Sequence, residues 1–154
     1  MTRVAILTSL ITYAIVVSQP LFYLVVLTNA QRALSASAYI ELRQRINAVM
    51  TERLPIIYLS TLLAVLVLLV VSWRISNWYL ILSTTIALLC LLVDVRFMLG
   101  ENVPINGVID QWTPTSYPAD WESYRAKWFV IFRYRQVVLL VGFFSLLIGA
   151  ISPW

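Results

Sequence analysis

The sequence of 154 residues contains no histidine and a single cysteine, Cys90. Without histidine, the chain cannot build the catalytic triads, metal sites or proton shuttles that depend on an imidazole ring. A single cysteine also excludes a disulfide framework within the chain and any Cys-x-x-Cys motif. Charged residues are scarce at 12%, against roughly 25% in soluble domains. We therefore expect neither a bound metal nor another cofactor.

Apolar residues dominate what is present, making up 61% of the chain and giving a mean hydropathy of +0.86. A chain this apolar is neither a solvated disordered polymer nor an ordinary water-soluble domain. The net charge is +4, but the basic residues are scattered between long apolar runs. Because they form no continuous basic surface, we expect no nucleic-acid partner. From the apolar composition we predict that the chain is surrounded by membrane lipids.

Four apolar stretches are long enough to cross a bilayer, for which about 20 helical residues are needed. They cover residues 4–27, 54–71, 78–99 and 128–151. Continuous Leu, Val and Ile runs of this length favour helices over the short alternating strands of a membrane barrel. The sequence thus predicts one all-α domain over residues 1–154, an integral membrane antiparallel four-helix bundle with two long loops on one side.

The first long loop, residues 28–53, contains a stretch with helical periodicity. Between residues 37 and 52 the apolar side chains recur at helical spacing, and charged residues such as Arg43 fall between them. The predicted apolar positions are Tyr39, Leu42, Ile46, Val49 and Met50. This pattern predicts a short amphipathic helix lying on the interface or against the bundle, with Arg43 on its charged face.

The second long loop, residues 100–127, contains the more specific sequence features. Pro104 is well placed to begin a short helix, and residues 113–118 form a turn-rich break. Asp120 is then a plausible N-cap for a helical stripe that starts at Trp121 and continues into the fourth span. By contrast, only residues 72–77 separate the second and third spans, which forces a tight hairpin.

Basic residues are more numerous on the side of the two long loops than on the side of the termini. Under the positive-inside rule, this difference predicts cytoplasmic long loops and external termini. We expect the membrane to be a bacterial inner membrane. Trp73, Trp78 and Trp154 fit an aromatic belt on the terminus side. The basic residues counted on the loop side are Arg32, Arg43, Arg45, Arg53, Arg125 and Lys127.

Each span places a polar or helix-perturbing residue about 16 residues, or roughly 24 Å, from the terminus side. These residues are Gln19 with Pro20, Pro55 with Arg53, Asp94, and Arg135 with Arg133. A short aspartate cannot reach the headgroups, so we expect Asp94 to pair with Arg135, or with Arg133, inside the bundle. The alternative is that these charges end the spans and extend to the headgroups, which we favour for Arg53, Arg96 and Lys127.

Small residues recur along the fourth span at Gly142, Ser145 and Gly149. Such a stripe lets another helix approach closely. We expect it to pack within the bundle, and the alternative is a face for self-association or for a protein partner.

The second long loop and the start of the fourth span resemble the anthrone-oxygenase-like family of small four-helix membrane proteins. The matching features are an Asn-x-Pro-x-Asn segment at residues 102–106 and the Trp- and Arg-rich approach to the last span. The resemblance implies the same topology, and it implies oxidation of anthrones to anthraquinones without an obvious metal or flavin, as in fungal members. The residues that match the motif are Asn102, Asn106, Arg125, Trp128 and Arg135.

The sequence departs from this family at its usual histidine. That position corresponds here to Phe132 or to Arg133, depending on the register. Phenylalanine cannot titrate, and a guanidinium cannot act as a general base near neutral pH. Oxygenase chemistry that needs this base is therefore not supported by the residues.

The remaining polar residues still suggest a binding site for a small molecule. The amides of Asn102 and Asn106 could hold a carbonyl or phenol oxygen, or could cap a helix, and an arginine could stabilise an anionic group. Trp112, Trp121 and Trp128 could wall a flat ligand, although an interfacial belt is the favoured interpretation. The candidate ligand-binding residues are Gln19, Asp94, Asn102, Asn106, Trp112, Arg125, Trp128, Arg133 and Arg135.

Three functions are compatible with these features. The first is a pocket for a hydrophobic, aromatic, quinone-like or lipid-like molecule. The second is a non-catalytic accessory subunit that docks a larger membrane partner. Ion or proton transport ranks last, because Asp94 is the single intramembrane acid that favours it.

Overall fold

The computed structural model describes residues 1–152, and Trp154 of the predicted belt lies outside this range. Four long apolar helices form the described chain, as predicted: α1, Thr2–Arg32; α2, Ala36–Arg74; α3, Trp78–Ile109; and α4, Trp121–Ile151. Large apolar side chains cover the outer faces of these helices. Examples are Leu7, Ile11, Leu59, Leu63, Leu82, Leu89, Val137 and Val141. With apolar surfaces of this extent, the chain is an integral multi-pass membrane protein.

The amphipathic segment and the second span are joined in α2, a single helix of 39 residues. We predicted a separate short helix before a span that begins near Pro55. Pro55 is the only residue in this helix that removes a backbone donor, and a long helix tolerates the loss of one hydrogen bond. At 1.5 Å per residue α2 is about 58 Å long, so it extends well beyond the hydrocarbon layer.

The motif segment is likewise continuous with the third span in α3. Pro104 does not start a new helix, because a π-helical turn at Met98–Asn102 carries the chain into Val103–Ile109. The backbone N–H of Val103 donates to the carbonyl of Met98, five residues earlier, so the ladder is already shifted where Pro104 lacks a donor. A second π-helical turn, Tyr23–Leu27, follows Pro20 in α1.

Both predicted long loops are consequently mostly helical. The non-helical connections on the loop side shrink to residues 33–35 and 110–120, while residues 75–77 join α2 and α3 on the terminus side. The predicted turn-rich break at residues 113–118 is present, with Thr113 and Ser116 bonded to each other through their backbones. Asp120 occupies the N-cap position of α4, but its side chain makes no capping hydrogen bond.

On the terminus side the four helices pack closely around apolar side chains. A Cβ atom built at Gly142 would lie 2.0 Å from the hydroxyl oxygen of Tyr13, and one at Gly149 would lie 1.8 Å from Oγ of Ser83. Ser145 Oγ donates to the carbonyl of Ser83 at 3.2 Å. The small-residue stripe therefore packs inside the bundle, as expected, and brings α4 against α1 and α3.

Candidate functional site

The predicted ion pair between Asp94 and Arg135 is present inside the bundle. Arg135 Nε donates to Asp94 Oδ1 at 2.8 Å, and Arg135 Nη2 donates to Asp94 Oδ2 at 3.3 Å. Asp94 is 0% exposed and Arg135 is 4% exposed. Arg133, the alternative partner, is exposed on the outside of α4. The bidentate geometry is the strongest form of a carboxylate–guanidinium contact.

Two further side chains complete this ion pair. Tyr58 donates its hydroxyl to Asp94 Oδ2 at 2.5 Å and accepts a hydrogen bond from Arg135 Nη2 at 3.2 Å. Asn102 Oδ1 accepts a hydrogen bond from Arg135 Nη1 at 3.1 Å. The charges of Asp94 and Arg135 thus compensate each other, and neutral groups satisfy the remaining donors, which is what burial of an ion pair requires. Asp94 is held as an acceptor and is poorly placed to act as a free base.

The polar layer at this depth also includes α1. Gln136 Nε2 donates to the carbonyl of Pro20 at 3.1 Å, and Gln19 is half-buried nearby. The carbonyl of Pro20 can accept this hydrogen bond because the π-helical turn that begins at Tyr23 alters the regular ladder here. Arg53, Arg96 and Lys127 are exposed, as predicted.

A second buried guanidinium, that of Arg43, lies on the loop side of the ion pair. Its Nη2 donates to Asn106 Oδ1 at 2.7 Å and its Nη1 donates to the hydroxyl of Tyr23 at 3.3 Å. Arg43 is 3% exposed, so its assignment to the charged face of the helix is wrong. Val49 is 57% exposed, so its assignment to the apolar face is wrong as well. Residues 39, 43, 46 and 50 share the face of α2 that turns inward.

Trp128 lies directly against Arg43. The guanidinium carbon of Arg43 is 4.0 Å from the centre of the Trp128 ring. Phe132 stacks on the same ring, with 4.7 Å between the ring centres. Trp128 Nε1 donates to Asn106 Oδ1 at 3.0 Å, and the side chain is 3% exposed. The belt interpretation is therefore wrong for Trp128, which is an internal residue.

The ion pair and the Arg43 group both border a cleft with a volume of about 590 Å³. The cleft lies between α2 and α3 and is closed at its base by α4 and by Gln19 of α1. Its lining on α2 runs from Arg43 to Tyr58, which at 1.5 Å per residue corresponds to about 22 Å. The apolar lining residues are Ile46, Met50, Leu54, Pro55, Val95, Met98, Leu99, Val103, Trp128 and Phe132. The polar or charged lining residues are Gln19, Arg43, Asn47, Thr51, Tyr58, Asn102, Asn106, Asp110 and Arg135.

Two polar chains connect residues at the cleft wall. Asn106 Nδ2 donates to Asn47 Oδ1 at 3.1 Å, and the amide of Asn47 makes a short contact with Asp110 at the exposed end. Asn102 Nδ2 donates weakly to the carbonyl of Trp128 at 3.4 Å. The motif residues Asn102 and Asn106 therefore use their amides to fix the arginines and Trp128 in place.

Three candidate residues lie away from this cleft. Trp112 packs edge-on against Tyr124, with 5.2 Å between the ring centres. Arg125 donates to the carbonyl of Leu34 at 3.2 Å, where it holds the connection between α1 and α2. Arg133 borders a separate, smaller cavity of about 200 Å³ between α1 and α4. The cleft brings together Gln19, Asn102, Asn106, Trp128 and Arg135, and Asp94 lies immediately behind them.

Sequence reasoning did not identify Arg43, Asn47 and Tyr58 as site residues. The signal for Tyr58 was its position one turn beyond Pro55, at the depth of the other polar residues. The signal for Arg43 was its four-residue spacing from Tyr39, which is buried at 0% exposure. Asn47 follows Arg43 by one further turn on the same face.

Comparison with other proteins does not assign this chain to a family. No family model, no curated protein and no solved structure matches it. The resemblance to the anthrone-oxygenase-like family, carried by about residues 100–136, therefore stays a prediction.

Proposed function

We propose that this membrane protein binds a hydrophobic small molecule, aromatic, quinone-like or lipid-like, in the cleft between α2 and α3. The observation that carries the proposal is a cleft of about 590 Å³ with apolar walls and fixed polar groups at its base and outer end. Ligand sites typically have volumes of about 300–1,000 Å³, apolar walls and a few well-placed polar groups. Tyr58, Asn102 and Arg135 supply such groups, and their mutual hydrogen bonds hold them before any ligand arrives.

The resemblance to anthrone oxygenases supports the same ligand class, since their substrates are flat, apolar and oxygenated. Oxidation of the ligand is a weaker part of this proposal. Of the two positions that could replace the family's histidine, Phe132 borders the cleft and Arg133 lies outside it. Neither side chain can accept a proton near neutral pH, so any oxidation would use another base.

Gly107 offers a direct way to close the cleft. It borders the cleft, and a Cβ atom built there meets no atom of another segment within 4 Å. Replacing it with phenylalanine should therefore fill the cleft without a clash, and it removes a helix-destabilising glycine from α3. The matched control is Val108→Phe, the same new side chain one residue away, at a position that does not border the cleft.

The test is to purify the three proteins from membranes in a mild detergent and to analyse organic extracts by mass spectrometry. The original protein and Val108→Phe should retain a hydrophobic compound that Gly107→Phe loses. The proposal is contradicted if all three proteins yield the same extract, or if none of them carries any compound other than bulk lipid and detergent.

The alternative function, an accessory subunit, loses one of the sequence features on which it was based. Gly142 and Gly149 are in contact with Tyr13 and Ser83 within the bundle, so the small-residue stripe is not available to a partner helix. Copurification of a stoichiometric protein partner in the same mild-detergent preparation would nevertheless favour the accessory role.

We also propose that the connections at residues 33–35 and 110–120 face the cytoplasm of a bacterial cell and that the termini face outward. Exposed Arg32, Arg45, Arg53 and Lys127 support this orientation under the positive-inside rule, whereas Arg43 is buried and no longer counts. Reporter fusions at the two termini test it, and a cytoplasm-active reporter at either terminus would reverse the orientation.

A further inference from the structure

The two buried arginines of the cleft differ in how their charge is compensated. Arg135 has the carboxylate of Asp94 at 2.8 Å. Arg43 has no carboxylate within 4.0 Å among residues 1–152, although it is 3% exposed. Its Nε atom is buried and lacks a hydrogen-bond partner in the same part of the chain. A guanidinium that is buried and not neutralised is costly, so this arrangement calls for an anion.

The groups that surround Arg43 are neutral. Arg43 donates hydrogen bonds to the hydroxyl of Tyr23 and to the amide oxygen of Asn106, and it lies over the ring of Trp128. None of these groups carries a negative charge that would neutralise the guanidinium. The nearest acid along the hydrogen-bond chain is Asp110, which is exposed and reaches Arg43 only through the amides of Asn47 and Asn106. The positive charge of Arg43 at the outer end of the cleft is thus available to be neutralised by a ligand.

We infer that the ligand of the cleft is an amphiphile with one anionic head group, which binds Arg43 while its apolar part lies along Met50, Leu54 and Met98. This inference rests on the proposed binding function and specifies its ligand class. A carboxylate or a phosphate monoester shares the required chemistry, because each presents paired oxygens to a planar guanidinium. The cleft runs about four helical turns inward from Arg43, which is long enough for an extended apolar tail.

The depth of Arg43 relative to the bilayer agrees with this assignment. Arg43 lies in the part of α2 that precedes the predicted span, residues 54–71, so an anionic head bound there stays near the polar surface of the bilayer. From that point the cleft leads toward Leu54 and Val95, deeper in the apolar layer. An amphiphile from the membrane therefore keeps its usual orientation when it enters.

The experiment uses probes that share one tail and differ in the head. Purified protein is assayed by scintillation proximity with tritiated palmitate above neutral pH, with hexadecyl phosphate and hexadecanol as unlabelled competitors. Palmitate and hexadecyl phosphate should compete roughly ten- to a hundredfold better than hexadecanol, the effect of a charge-assisted hydrogen bond. The order of the two anions shows whether a carboxylate or a phosphate head fits better.

Two variants of Arg43 test the inference. For a variant that no longer binds palmitate, tritiated hexadecanol replaces tritiated palmitate as the tracer. Arg43→Gln should remove the preference for anions, so that palmitate and hexadecyl phosphate compete no better than hexadecanol, while Arg43→Lys should keep most of the preference because it keeps the charge. Equal competition by all three probes in the original protein would overturn the inference, as would an undiminished preference in Arg43→Gln.

Gly107→Phe separates this inference from the proposed function. If Gly107→Phe abolishes binding of every probe while the original protein shows no preference among them, the cleft binds ligands and only the anionic head is wrong. If Gly107→Phe binds all probes as well as the original protein does, the binding is elsewhere and the proposed function itself fails.

Discussion

The two ends of this bundle are packed differently. On the terminus side, Gly142 and Gly149 bring α4 against its neighbours so closely that a single added carbon atom would clash. On the loop side, bulky and charged residues such as Trp128 and Arg135 border a cleft of about 590 Å³ between α2 and α3. One end of the bundle is thus closely packed, and the other end contains the cleft that we propose as the binding site.

The boundary between the two ends is the layer of Asp94, Arg135 and Tyr58. Its charges are compensated, so it can close the tightly packed end and form a fixed base for the cleft at the same time. Arg43, at the outer end, differs because no carboxylate in the described chain neutralises it. Variants at these positions should therefore affect stability at the base and ligand binding at the outer end.

The largest effect on stability is expected from Asp94→Asn. It removes the negative partner and leaves Arg135 buried without compensation, which typically costs about 3–5 kcal/mol. The double variant Asp94→Leu/Arg135→Met should recover most of this loss, because no charge is then left behind. Unfolding in a mixed-detergent titration measures both, and an unchanged midpoint for Asp94→Asn would show that the pair is solvated.

The next largest effect is expected from Gly149→Leu in the tightly packed end. The new side chain meets Ser83 at once, and overpacking of this kind costs about 1–3 kcal/mol. Gly107→Leu makes the identical change at the cleft and should not destabilise the protein. The same titration compares them, and equal losses at both positions would remove the distinction between the two ends.

A smaller loss is expected from Tyr58→Phe. This variant keeps the ring and removes the hydroxyl that donates to Asp94 at 2.5 Å, and a hydrogen bond to a charged group contributes about 1.5 kcal/mol. The ion pair itself persists, so the loss should remain well below that of Asp94→Asn. A loss as large as that of Asp94→Asn would mean that the ion pair does not persist without the hydroxyl of Tyr58.

The smallest effect on stability is expected from Arg43→Met. The variant loses the contacts with Asn106 and Trp128, but it also removes a buried charge that nothing in the described chain neutralises, so the net change should be less than about 1 kcal/mol. Unfolding of ligand-free protein provides the measurement. A loss of several kcal/mol would indicate that an acid pairs with Arg43 after all.

The sequence was most informative where one residue type leaves few options. An aspartate in an apolar span must find a cation, so Asp94 and Arg135 could be paired at a distance of 41 positions. The helices were easily located for the same reason. Their ends were not, because Pro55 and Pro104 suggest boundaries, whereas a long helix or a π-helical turn absorbs each missing donor.

The cleft could not be predicted from the sequence. It depends on the distance between α2 and α3 on the loop side, far from the short connection that joins them. That distance follows from the packing of all four helices. Arg43 was misplaced because a charged residue in an amphipathic pattern is normally solvated. Its burial depends on Trp128 and Asn106, which are distant in sequence and supply the contacts that make an internal guanidinium tolerable.

The most direct test of the account is a density map of the protein in lipid nanodiscs, with a bound antibody fragment to aid alignment. We predict Asp94 and Arg135 in contact beneath an open cleft, and elongated density between α2 and α3 that ends beside Arg43. A map in which α2 and α3 close on each other, with Asp94 and Arg135 turned apart toward headgroups, would contradict it.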